Sequence, residues 1–265
     1  MKVRLHRDVE VAEVAVGDGR RGNALSSRDW RELERTFRDL AREDDLRAVV
    51  VRGRGGMFSS GSDMREWVEA DVTGVADSFA AMEAAFTAIE DLPVPVIAQV
   101  EGVAAGAGCQ LALACDLQVM AESARIGMPI ARLGILVSPA FAARLAVLAG
   151  PGVARELLYT GRLVPAAEAV RLGLATRCVP DEELATATRR LVLNITRHPS
   201  AAVRAAKHAV GAVLTPAWAA AKAQAAGPPV AFDDFQRGIT TFLTRDPRPT
   251  SPAEEIQDQE LPGRR

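Results

Sequence analysis

Several residue types and patterns that direct function are scarce in this chain. Cysteine appears three times in 265 residues, at Cys109, Cys115 and Cys178. An odd number without CxxC spacing writes neither a disulfide framework nor a zinc site, so reduced core thiols are expected and no metal ligands are assigned. Histidine also appears three times. His6 falls in an early strand and His198 and His208 in a helical tail, which supports a Ser-His-Asp hydrolase poorly. An excess of one charge is missing too: the net charge is -2 and the pI about 6.0, which argues against nucleic acid as a partner. The apolar stretch 94–105 is broken by Gln99 and Glu101 and falls short of the roughly 20 residues of a spanning helix, so no membrane partner is expected. Met1 to Glu10 carries alternating charges in place of a basic patch and an apolar run. No secretory signal is read there, and a cytoplasmic location is the expectation.

What is present is an ordinary globular composition, 48% hydrophobic and 25% charged, enough for one large core. Val9 to Val16 reads as a strand ending in the turn Gly17-Asp18-Gly19. Ser26 or Ser27 then caps an amphipathic helix whose buried stripe is Trp30, Leu33, Phe37 and Leu40. Leu46 to Val51 reads as a buried strand, and strand, glycine turn and helix recur through Phe58–Asp63 into 74–91 and through Val96–Val100 into 107–114. Further strands are predicted near 117–120 and 175–179, with a helix from Ala166 to Leu172 closed by Gly173. Beyond about 190 the β signals stop, and 182–197, 200–224 and 231–244 read as helices. This predicts an α/β body over 1–190, a helical region over 191–245, and a proline-rich tail over 246–265 that can bury little.

Two glycine-containing turns carry the chemistry, Phe58-Ser59-Ser60-Gly61-Ser62-Asp63-Met64 and Gly102-Val103-Ala104-Ala105-Gly106-Ala107-Gly108-Cys109-Gln110. Each follows a predicted strand and precedes a helix. Such a turn can leave a backbone N–H unpaired and aimed outward, and two together make an oxyanion hole. Either turn alone is equally a tight packing turn. Asp63 reads as an Asx-turn residue that holds the first turn in shape.

With Asn23-Ala24-Leu25 and the segment YTGRLVPAAEAVRLGLATRCV at 159–179, these turns resemble the enoyl-CoA hydratase/isomerase (crotonase) superfamily over roughly residues 5 to 245. The resemblance implies a ClpP/crotonase-like spiral of ββα units with a C-terminal helical trimerisation region, assembled as a homotrimer or a dimer of trimers. It implies an acyl-CoA thioester as partner, with coenzyme A entering only as part of the substrate. The family's oxyanion donors match the backbone N–H groups of Ser62 and Ala107. A coenzyme site by the same likeness draws on Ala24, Ser60, Ser62, Asp63, Met64, Arg65 and Gly106. Arg20, Arg21 and Arg65 would stand near the phosphates, although solvated surface arginines read the same way.

The departures matter as much. Where hydratases of the family carry two glutamates, this chain has Gln110 and Ile130. Glutamine does not ionise near neutral pH and isoleucine offers neither proton nor lone pair, so efficient 2-enoyl-CoA hydration is not expected. Relatives with other reactions place a polar group in the loop after that second position, which makes Ser138 a candidate; as a helix N-cap before Pro139 it reads equally well. Glu69 and Asp71 precede the helix near the acyl region and read mainly as solvated loop charges. Phe235, Phe242 and Arg245 sit in the last predicted helix, which in the family packs over a neighbouring subunit's coenzyme site; simple core or surface packing reads equally well for each. Two functions stay open, an enzyme acting on a thioester through an enolate or oxyanion, and a non-catalytic acyl-CoA-binding or regulatory protein.

Overall fold

A computed structural model describes residues 2–223 and 229–244, with side chains of 215–223 left aside. The chain opens with an antiparallel pair, β1 (Val3–Asp8) and β2 (Val11–Val16), the first of which the sequence reading had not separated out. Ser26 is the cap of α1 (Ser27–Leu40): Asp29 N–H donates to Ser26 Oγ at 3.2 Å and Ser26 N–H returns a bond to Asp29 Oδ2 at 3.0 Å, a capping box. Trp30, Leu33, Phe37 and Leu40 are all buried, as the 3.6-residue stripe requires.

After α1 come β3 (Ala48–Arg52), α2 (Val72–Glu90), β4 (Val96–Val100), β5 (Val103–Ala105), α3 (Ala107–Ala114), β6 (Leu117–Ala121) and β7 (Arg125–Gly127). Then follow α4 (Pro139–Thr160), β8 (Leu163–Pro165), α5 (Ala166–Arg171) and β9 (Arg177–Val179), with α6 (Leu184–Thr196), α7 (Ser200–Ala223) and α8 (Phe232–Thr244) last. Six strands form one sheet in the order β1-β2-β3-β4-β6-β9, parallel from β2 onward. β5, β7 and β8 form a second sheet. A parallel sheet is buried on both faces, which is why β3 is apolar from Ala48 to Val51 and β4 is apolar but for Gln99.

Some expectations shift. The junction expected at 190 falls inside α6, whose Leu184, Thr188, Leu191 and Val192 are buried, so the first part of the helical region is continuous with the core. Phe58–Asp63, read as a glycine turn, also forms isolated bridges, Ser59 with Ala104 and Ser62 with Leu25. Pro165 ends β8 and caps α5 from outside, one residue earlier than a first helical position. α4 is bent at Gly150, where φ 80° with Pro151 behind it interrupts the helix. α2 is long and apolar enough, at mean hydropathy 1.2, to meet the length and composition test for a membrane span that the sequence reading applied elsewhere. Its Val75, Ala81, Met82, Ala85, Phe86 and Ile89 are packed into the protein core. The tail 246–265 and Arg245 lie outside the described residues.

Cys109 and Cys115 are buried and Cys178 half-buried, all as free thiols. Burial pushes the Cys109 thiol up to about 12, against a smaller lowering by a hydrogen bond to the Gly127 backbone, which makes it a poor nucleophile.

Candidate active site

The first turn is built around Asn23. It sits at φ 56° with its side chain wholly enclosed, its amide nitrogen donating to the carbonyls of Arg54 (2.8 Å) and Met57 (2.6 Å) while its amide oxygen accepts from Gly19 N–H (2.8 Å). Gly17 opposite has no room for a side chain, since a Cβ there would lie 2.2 Å from Asn23 Oδ1. Replacing Asn23 by alanine removes these bonds and leaves a non-glycine residue at positive φ without its local partner. A loss of about 2–4 kcal/mol in stability is expected, read as a lower urea midpoint at unchanged m.

Asn23 fixes the chain that the Ser62 turn then leans on. Leu25 N–H donates to Gly61 O (2.8 Å) and Asp63 N–H donates to Leu25 O (2.8 Å). These bonds use the groups on both sides of Ser62 and leave its own N–H on the opposite edge, without an acceptor among the described residues. Ser59 joins the two turns: its N–H donates to Val103 O (3.0 Å), its O accepts from Ala105 N–H (3.0 Å), and its hydroxyl accepts from Gly61 N–H (3.1 Å). In the second turn Gly106, at φ 55°, spends its N–H on Gly127 O (3.0 Å). Ala107 is the first residue of α3 and its N–H, like that of Ser62, has no acceptor among the described residues.

The two glycines at the contact show how close the turns lie. A Cβ on Gly61 would sit 2.9 Å from Ala107 N, and one on Gly108 would sit 2.1 Å from Ser59 O. Gly61, next to Ser62, therefore abuts the start of α3, and the two unpaired donors belong to one patch with the positive end of that helix behind it. This arrangement can hold an oxygen that gains negative charge.

Around the patch, Ser62 Oγ accepts from Trp30 Nε1 (3.1 Å) and touches Met82 Sδ (2.8 Å), so the serine side chain is tied inward. Asp63 caps the 3-10 turn Met64–Trp67 through Arg65 N–H (3.4 Å) and pairs with Arg21 (3.1 Å) and, more loosely, Lys2 (3.9 Å). Lys2 Nζ also donates to Ala24 O. Ser60, Arg65 and Arg20 are exposed and Met64 half-buried beside them. Glu69 is exposed, and Asp71 caps α2 by accepting from Gly74 N–H at 2.8 Å. His6, His198 and His208 are exposed, in β1, in the link between α6 and α7, and in α7.

Gln110 is fully buried one turn into α3. Its Nε2 donates to Phe141 O (3.2 Å) and its Oε1 accepts from Arg144 Nη1 (3.4 Å). Arg144, itself 2% exposed, forms two bonds to Glu83 (2.7 and 3.1 Å) and one to Glu90 (2.5 Å), and lies over the Phe86 ring at 5.2 Å. Burial alone would lower the pKa of this guanidinium; the bonds to Glu83 and Glu90 more than reverse that and hold it above its ordinary range. Ile130 is buried in the 3-10 turn Pro129–Leu133. Ser138 caps α4, its hydroxyl accepting from Phe141 N–H at 3.2 Å.

The loop between Ile130 and Ser138 is covered by the same chain. Ile135 pairs with Val230, Leu136 N–H donates to Pro229 O, and α8 follows, with Gly238 packed so closely on Leu133 that a Cβ would lie 2.8 Å from its Cα. Phe235, for which core packing and a place over a neighbouring subunit read equally well, is enclosed within its own chain, its ring 5.6 Å from that of Trp67. Phe242 of the same helix is half exposed.

Arg144, Glu83 and Glu90 were not among the residues singled out from the sequence. A signal was there: the charges of α2 are Asp77, Glu83 and Glu90, the last two seven residues apart and so on one face, and Arg144 is the one charge between 139 and 154. Charges isolated in apolar helices are buried at high cost unless they find each other.

The fold and site define a mixed α/β spiral in which two touching turns each leave a backbone N–H without an acceptor among the described residues. The enoyl-CoA hydratase/isomerase family matches residues 7–249, and the chain belongs to that family. It is 34% identical to the probable enoyl-CoA hydratase echA8 of Mycobacterium bovis, over 78% of this chain and 80% of that one. It is 31% identical to the short-chain-enoyl-CoA hydratase of Clostridium acetobutylicum, over 78% and 80% of the two chains. Among solved structures, an enoyl-CoA hydratase/isomerase from Mycobacterium paratuberculosis superposes with a TM-score of 0.82 over 91% of this chain and 98% of that one, at 23% identity, a likeness of fold. The fold is the crotonase fold.

Proposed function

We propose that the protein binds an acyl-CoA thioester and stabilises an enolate or tetrahedral oxyanion through the N–H groups of Ser62 and Ala107, without being an efficient 2-enoyl-CoA hydratase. The observation that carries this reading is the pair of unpaired donors on touching turns. Charge that develops on a thioester oxygen in the transition state gains from preorganised donors, and each is worth about 3 kcal/mol. Main chain supplies the hole, so serine at 62 and alanine at 107 cost it nothing but a methyl group beside the substrate. Proton transfer depends on side chains, and neither Gln110 nor Ile130 carries a proton to give or a basic lone pair to take one.

Coenzyme A enters as part of the substrate in this reading, over Ala24, Ser60, Asp63, Met64, Arg65 and Gly106, with Arg20 and Arg21 beside the phosphates. Ser138, engaged as a cap, is a weaker candidate for the chemistry than the backbone donors. A homotrimer or dimer of trimers is the assembly proposed. Calorimetric titration with acetyl-, butyryl- and crotonyl-CoA is expected to give saturable binding that is tighter than for free coenzyme A. A purified protein that binds none of them contradicts the reading. Gln110 and Ile130 together favour a second reading, a non-catalytic acyl-CoA-binding or regulatory protein, distinguished by binding without any conversion.

A further inference from the structure

A thioester held at an oxyanion hole reacts only if something moves a proton, and the two positions discussed above supply nothing for that. We infer that Glu83 of α2 is the acid–base residue of this site, an inference that rests on the thioester-binding reading above.

Three observations lead to it. First, Glu83 is brought to the place of the missing carboxylate. Arg144 Nη1 bonds both Glu83 Oε2 (3.1 Å) and Gln110 Oε1 (3.4 Å), so the Glu83 carboxylate lies no farther from the Gln110 amide than those two bonds laid end to end. Second, the helix that carries Glu83 packs against the Ser62 turn, since Met82, one residue before it, touches Ser62 Oγ through its sulfur. Third, the two carboxylates on Arg144 differ in access. Glu90 is almost enclosed, its side chain 7% exposed, and holds Arg144 Nε, whereas Glu83 is 24% exposed at the outer end of the same guanidinium.

The cluster then has a division of labour. Glu90 and Phe86 hold Arg144 in place, and Arg144 holds both the Gln110 amide and the Glu83 carboxylate in fixed orientation. A base whose geometry is set before substrate arrives needs no reorganisation during the transfer. Gln110 is fully engaged, Oε1 to Arg144 and Nε2 to Phe141 O, and so serves as a spacer in the network.

In the step proposed, the Glu83 carboxylate takes a proton from the thioester α-carbon. The C–H electron pair becomes the enolate C=C bond, and the carbonyl π electrons move to the oxygen held by Ser62 and Ala107 N–H. The protonated Glu83 then returns the proton to the α-carbon, or to the γ-carbon of an unsaturated chain. No oxidant, reductant or water is consumed, so the reaction class is proton exchange or 1,3-shift of a double bond with one carboxylate.

The test follows α-hydrogen exchange of butyryl-CoA in deuterium oxide by mass spectrometry, with binding measured on the same samples. The wild type is expected to exchange above the buffer rate. Glu83→Gln is expected to bind butyryl-CoA within about threefold of wild type and to exchange at least about a hundredfold more slowly. Glu83→Asp, which keeps the charge on Arg144 but draws the carboxylate back by one methylene, is expected to bind normally and exchange roughly ten- to a hundredfold more slowly. It decides the matter if the glutamine variant does not fold. Wild-type binding without exchange overturns this inference and leaves the binding reading standing. Exchange in Glu83→Gln, or failing that in Glu83→Asp, within a factor of about three of wild type overturns it as well. A wild type that binds no thioester removes both.

Discussion

Ala107→Pro is expected to slow α-proton exchange of bound acyl-CoA by about a hundred- to a thousandfold while leaving the fold intact. Proline suits the first position of a helix, where the N–H has no intrahelical acceptor and φ is already near the proline value. Ala107 occupies that position in α3, and its N–H has no acceptor among the described residues, so no structural bond is lost. What is lost is one of two donors, and the ring takes its place beside Gly61, where a Cβ would already approach Ala107 N to 2.9 Å. Ala107→Gly makes the contrast, since it keeps the donor and removes only the methyl group; its exchange rate is expected within a few-fold of wild type. Circular dichroism that overlays for the two variants, with rates that separate, assigns the effect to the donor. Equal rates mean the oxygen is held elsewhere.

The second large effect is a gain. Gln110→Glu combined with Ile130→Glu is expected to raise hydration of crotonyl-CoA by at least about a hundredfold, since a positioned acid or base contributes ten-squared to ten-to-the-fourth in rate. Either change alone is expected to do far less, because water must be both deprotonated and oriented while the α-carbon receives a proton. The environment of the two sites is unequal. A carboxylate at 110 meets Arg144, which already serves Glu83 and Glu90, so it joins a cluster of three carboxylates on one guanidinium. One at 130 replaces a side chain buried in the 3-10 turn after Met128. Loss of enoyl-thioester absorbance measures the gain. Intact binding with no gain means that Arg144 draws the new carboxylate out of reach.

Much of this was legible before any coordinates, for identifiable reasons. Helix α1 is legible through its cap and apolar period, α5 through Pro165 and Gly173, α2 and α3 through the glycine turns before them and α6–α8 through Ala-rich stretches, and β3, β4 and β6 through short apolar runs. β5, β7 and β8 were not legible, because three residues do not establish an alternation and their pairing is decided by the turns they connect. The two turns read as glycine turns between strand and helix, but each alone is equally a packing turn, and only the family likeness assigns the donors to Ser62 and Ala107. Asn23 was visible only as part of a likeness; its hydrogen bonds to Arg54 and Met57 cross more than thirty residues, which no local pattern encodes. The Arg144 cluster joins α2, α3 and α4, and its members are ordinary charges until the helices meet. Phe235 reads equally as a core residue and as a partner contact, because its packing on Trp67 depends on the path of the segment 229–231 across the loop after Leu133.

Separating what the main chain supplies from what side chains supply leaves one central claim, that Ser62 and Ala107 together polarise a bound thioester carbonyl. Infrared difference spectroscopy of butyryl-CoA carrying carbon-13 at the thioester carbonyl tests it most directly, because the stretching frequency falls as hydrogen bonds to the oxygen strengthen. The account predicts a shift to lower frequency on binding to the wild-type protein and its loss, at saturating ligand, in Ala107→Pro. A bound thioester whose carbonyl frequency matches that in water-free solvent, or one whose shift survives Ala107→Pro unchanged, would contradict it.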